Sequence, residues 1–212
     1  MNLAGSLVNH ICFGGRIYRL NLSYDNVLRV FDVWRETLFS PAQRTQLAVE
    51  LLAGRRAGRL PYRELDVLYK QIFKEYINEG AKSDPSKPRT LDFVQDAPLI
   101  YAAFWQAYRI DLTKQKGHLD WRYFIALLQG LPEDTRLRAV MDIRERDIPE
   151  PNKYNAEQIA ALVKAKAYYA IKFSDEEAEY TLQAGIDKFA ASLISQAKRG
   201  ANDGRTGRQG RI

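Results

Sequence analysis

At 212 residues, 46% of them hydrophobic, the chain is long enough to bury one substantial core. Its formal charge of +6 invites a polyanionic partner. From Lys198 onward, however, five basic side chains face the single acid Asp203, so +4 of that charge lies at the C-terminal end and the body is near +2, ordinary for a soluble domain. One cysteine excludes an internal disulfide. Cys12, His10 and His118 cannot build a zinc site without several carboxylates, and no apolar run approaches the roughly 20 residues of a membrane span.

The N-terminus lacks the charged-then-apolar layout of a signal peptide, and the expected location is the cytosol. VNHICF and RIYRLNL flank Gly14-Gly15 with rough apolar/polar alternation, which predicts a β-hairpin with a two-residue turn. His10 and Cys12 share one face of it, as a metal pair would, but a polar edge position beside a small apolar one is the simpler account. A lone hairpin is marginal in water and must pack on something. Ser23 is placed to cap a helix with Val27, Phe31, Trp34 and Leu38 at helical spacing. Ser40-Pro41-Ala42-Gln43 opens a second helix with a capping serine, an early proline and a capping-box glutamine, and Gly54 ends it. After the basic loop GRRAGR, a third helix runs from Pro61 to Gly80 with Leu65, Leu68, Ile72 and Tyr76 on one stripe.

Residues 81–90, polar and proline-bearing, read as a linker or exposed loop. Asp92 and Asp96 then precede a helix entered at Ala97-Pro98. Two carboxylates so close could suggest acid/base or metal chemistry, but no histidine or nucleophile accompanies them, and capping is the favoured role. In that helix Ile100, Phe104 and Ala107 form one stripe and Tyr101, Trp105 and Tyr108 another, a face wider than a surface helix needs. Either two neighbouring elements cover it or one stripe meets a partner chain. Asp120 caps WRYFIALLQ, whose Trp121, Phe124, Ile125 and Leu128 face one way. Leu131-Pro132-Glu133-Asp134 is expected to start a further helix with Leu137, Val140, Met141 and Arg144 inward. Asn155 with Gln158 announces a helix bearing Ile159, Leu162, Val163 and Lys166, and Ser174 with Glu177 a last one bearing Leu182, Ile186, Phe189 and Leu193. The closing RGANDGRTGRQGRI has no hydrophobic pattern and reads as disordered, with Arg199, Arg205, Arg208 and Arg211 as candidate polyanion contacts.

These elements predict a mainly α protein: a multi-helix bundle with a small N-terminal hairpin and a disordered C-terminal tail. In domain terms, 1–80 (hairpin plus helices) and 91–198 form one compact unit joined by 81–90, and 199–212 hangs free. No phosphate loop, dinucleotide-binding glycine pattern or GxSxG elbow is present, so no catalytic, cofactor-binding or metal-binding residue is expected, nor any enzyme activity. The wide aromatic faces point to binding of other helices, with Tyr101, Trp105, Tyr108, Trp121, Phe124 and Leu128 as partner-binding candidates.

DFVQDAPLIYAAFWQAYRIDL, LDWRYFIALLQGLPEDTRLRAVMDIRERDIP and KYNAEQIAALVKAKAYYAIK, together with RLNLSYDNVLRVFDV, resemble one family. It comprises proteins of long-tailed bacteriophages, mostly of Gram-positive hosts, encoded in tail-gene clusters and regarded as tail assembly chaperones. The resemblance spans most of the chain, with Arg109 standing where the family pattern usually turns with glycine and Arg122 where a second aromatic is common. It implies a non-enzymatic protein of the host cytoplasm that keeps the tape-measure protein soluble, yields it to tail-tube subunits and is absent from the finished particle; whether copies self-associate is left open by the sequence. Two further readings stay open: a nucleic-acid-associated helical protein using the basic loop and tail, and a minor structural component of the virion.

Overall fold

The computed structural model describes residues 7–77, 90–152 and 154–172. Strands β1 (His10–Phe13) and β2 (Arg16–Arg19) pair antiparallel, with Ile11 opposite Tyr18 and Cys12 opposite Ile17. Gly14 and Gly15 both have positive φ, 56° and 72°, as a tight two-residue turn demands. The register sends Ile11 and Tyr18 into the core and leaves His10 and Cys12 exposed.

Three helices follow, α1 (Tyr24–Arg35), α2 (Pro41–Ala53) and α3 (Tyr62–Ile72), with α2 packed between the other two. The capping box at Ser40 and Gln43 forms in full. Ser23 heads α1 but does not cap it: its hydroxyl donates to Asn21 Oδ1 at 2.9 Å, since this residue bridges through its backbone to Asp120. Helix α3 carries Leu65, Leu68 and Ile72 inward as the stripe predicts. It gives way at Phe73–Ile77 to a wider π-helical turn, which carries the buried Ile77. The end predicted at Gly80, the linker at 81–90 except Thr90, the helix after Ser174 and the disordered tail lie outside the described residues.

The second half contributes α4 (Ala97–Tyr108), α5 (Trp121–Gln129), α6 (Arg136–Glu145) and α7 (Ala156–Tyr168). Two starts differ from expectation. Helix α6 begins after Thr135, whose hydroxyl donates to Pro132 O at 2.9 Å and accepts from the Arg138 N–H, so Pro132 to Asp134 form a turn and not the first helical turn. Asn155 precedes α7 without capping it, because its side chain accepts from the Asn152 N–H and donates to Glu150 O. Among the described residues the chain thus has seven α-helices and one hairpin, the mainly α bundle expected, and no helix is long and apolar enough to cross a membrane.

The two halves meet through Trp121. Its backbone N–H donates to Leu22 O at 2.7 Å and its indole N–H to Ile77 O at 3.0 Å. Its ring contacts Phe31, Phe93 and Phe124 at centroid distances of 5.5–5.6 Å, and Phe124 goes on to stack with Tyr24 and Phe104. Such ring pairs contribute about 0.5–1.5 kcal/mol beyond area burial. This aromatic cluster is the centre of the core.

Candidate functional site

The six partner-binding candidates divide by location. Trp121, Phe124 and Leu128 are 4%, 1% and 8% exposed, so they build the core and are closed to any partner while the fold persists. Their helical spacing marks an apolar face but not which neighbour covers it, and here α4, the Phe93 turn and the hairpin half cover it. Tyr108 is half-buried, its hydroxyl donating to Leu127 O at 2.9 Å and its ring edge-on to Phe104, which makes it a clamp between α4 and α5. Tyr101 and Trp105 remain, 39% and 48% exposed. The double stripe on α4 is therefore split: Ile100, Ala103 and Phe104 turn in, while Tyr101 and Trp105 turn out.

A groove of about 490 Å³ lies between α1 and the turn ahead of α4, at the N-terminal end of the helix that bears those two rings. It is lined by Leu28, Phe31, Asp32 and Arg35 on one side and by Phe93, Val94 and Ala97 on the other. Ala97, Tyr101 and Trp105 are spaced by four, so Tyr101 and Trp105 follow the side of α4 that begins at the groove's edge with Ala97. Val94, more than half exposed, raises its lip. The surface is apolar with one ion pair at the rim, where Arg35 meets Asp92 at 2.5 Å. Such a trough suits the apolar side of a helix presenting residues at i, i+3 or i+4, and i+7.

The paired carboxylates that precede α4 have separate structural duties. Asp92 accepts from the Val94 and Gln95 N–H groups at 2.8 and 2.7 Å, so it closes the turn ahead of α4 and does not cap the helix itself as expected. Asp96 does not cap α4. It turns inward, accepts the Asp92 N–H, and takes both terminal nitrogens of Arg144 at 2.6 and 2.8 Å. Arg144 also donates to Thr90 O and Tyr169 O. A carboxylate accepting three hydrogen bonds and a guanidinium donating four hold elements together. Among the described residues no group of three or more histidine, cysteine and acidic side chains could hold a metal ion.

The two departures from the family pattern, Arg122 and Arg109, have structural roles that the sequence did not show. Arg122 forms a bidentate pair with Asp120 at 2.9 Å, donates to Asn9 Oδ1 and Val8 O, and lies 5.8 Å above the Tyr76 ring, so the guanidinium stands where a ring would pack and ties the approach to the hairpin onto α5. Its signal was the acid two residues earlier. Arg109 ends α4 in the left-handed region, φ 57° and ψ 26°, keeping the turn that glycine would make easily. The aromatic pair Trp34 and Tyr69, 5.3 Å apart, closes the other side of α1. Burial pushes the Tyr69 hydroxyl up to about 12, with the Trp34 indole N–H offsetting part of the rise. Arg199, Arg205, Arg208 and Arg211 lie outside the described residues.

The family model described as Bacteriophage Gp15 protein matches residues 3–171. No curated protein and no solved structure matches the chain. Since the matched stretch takes in the hairpin, the groove and all seven described helices, the chain belongs to the bacteriophage Gp15 protein family.

Proposed function

We propose that this phage protein is a non-enzymatic tail assembly chaperone whose α1–α4 groove holds amphipathic helices of the tape-measure protein, keeping that long client soluble until tail-tube subunits take it over. The observation that carries this reading is the exposure of Tyr101 and Trp105 on the side of α4 whose first turn, at Ala97, lines an apolar trough, on a chain with a phage family assignment. Aromatic anchors beside a groove bind helices through area and shape, with modest affinity per copy. Many copies along one client then give strong total hold and easy release. On this reading the protein acts in the host cytoplasm and leaves before the particle is complete.

Co-expression with the tape-measure protein tests the proposal. The client should become soluble and co-purify, and the Tyr101→Ala, Trp105→Ala double variant should lose most of this, since truncated interface anchors cost about 2 kcal/mol or more each. A client that stays insoluble with the wild-type chain in excess removes the proposal's support. Finding the chain in purified virions by mass spectrometry would make it a structural component instead.

A further inference from the structure

We propose that α7 is a detachable latch: it opens alone while α1 to α6 stay folded, and it closes at the lip of the client groove through Gln95. This rests on the chaperone reading for its purpose, though not for its existence. Among the described residues α7 is the one α-helix with no buried side chain, and Ile159, Leu162, Ala165 and Tyr169 on its inner side are only half-buried. A helix of 13 residues is marginal by itself, so its persistence depends on what holds it.

The hold is polar and gathered at its last turn. Arg144 Nε donates to Tyr169 O at 2.6 Å, Lys166 Nζ donates back to Arg144 O at 2.7 Å, and Gln95 Nε2 donates to Ala170 O at 2.9 Å. Cations at a helix C-terminus are favourably placed, whereas the neutral Gln95 bond to Ala170 O is exposed and competes directly with water. Elements with few buried contacts and accessible hydrogen bonds open first.

The keeper of the latch belongs to the groove. Gln95 follows Val94, and its N–H is held by Asp92, whose other oxygen binds Arg35. Val94 and Arg35 both line the trough, so a helix seated there acts on the same short turn that retains Ala170 O. Occupancy and closure are therefore coupled, and the coupling is reciprocal. Opening would uncover the side of α6 against which α7 lies. The half-buried Ile159, Leu162 and Ala165 of α7 would be freed at the same time, and the client would gain an apolar seat beside α6.

Hydrogen exchange on the full chain tests this directly. Amides of α7 should exchange at least about a hundredfold faster than those of α2 and α5, and the Gln95→Ala, Lys166→Met double variant should speed α7 by about tenfold more with α2 and α5 unchanged. Protection of α7 equal to that of α2 overturns the latch. In a Cys12→Ser background, Gln95→Cys with Ala170→Cys joined by a bis-maleimide linker carrying a cleavable internal disulfide would lock it, since the gap now bridged by the long Gln95 side chain exceeds the reach of a direct disulfide. Retention of a tape-measure fragment should then fall about tenfold on cross-linking and return on reduction, a shift within the usual range of coupling between sites. Equal retention in both states overturns the latch and leaves the chaperone reading intact. No retention in either state overturns the chaperone reading, and the exchange pattern still decides the latch.

Discussion

Arg144 shows how much of this fold hangs on one side chain. It joins the residue ahead of α4, the chain at Thr90 and the end of α7, with its carboxylate partner buried beside it. Arg144→Met leaves Asp96 buried without its counter-charge and should cost about 3–5 kcal/mol in denaturant unfolding. Adding Asp96→Leu should recover much of that loss, because an apolar pair replaces an ionic one with little net change; a double variant less stable than the single would contradict this account. At Arg109 the sign reverses. A non-glycine residue at φ 57° pays a steric cost that glycine avoids, so Arg109→Gly should raise stability by about 0.5–1 kcal/mol, read as a higher denaturation midpoint at unchanged slope. Sequence reasoning placed Arg144 inward from its spacing alone and marked Arg109 as standing in a glycine position. It could not see that Arg144 meets Asp96, since the two are 48 residues apart in the chain.

At the scale of elements, the helices owe their existence to local signals and their edges to neighbours. The capping box at Ser40 is local and formed as read, whereas Ser23 and Asn155 were drawn into other hydrogen bonds. The packing of α3 on α1 has a pH signature. Tyr69 titrates near 12 in the folded chain against the usual 10, so the folded state keeps a proton that the unfolded chain loses. Its contribution is intact below pH 10 and is lost as pH rises from 10 to 12. Thermal melts across that window should fall, and Tyr69→Phe should flatten the fall; a slope unchanged by the substitution would show that other tyrosines carry it. Tyr24, also raised by burial and by the nearby Asp25 and Asp111, contributes in the same direction.

For the whole molecule, the aromatic residues separate into those that make the fold and those that face outward. Trp121→Ala should cost about 3–5 kcal/mol of stability, because it empties the junction between the two halves and orphans Ile77 O. Trp105→Ala, at the surface, should change stability by about 0.5 kcal/mol or less while weakening client solubilisation, a contrast measured by chemical denaturation beside the co-expression assay. The chain's periodicity, caps and glycine turn were enough to determine a mainly helical protein with an N-terminal hairpin, because hydrogen-bonding patterns and amphipathic spacing act over a few residues. Its residues alone also carried the phage family resemblance. Which side of α4 meets solvent, where Asp96 finds its cation and that a groove opens beside Phe93 were decided by tertiary packing. A helix has one apolar pattern but several possible neighbours, and only the assembled core settles which of its rings are left outside.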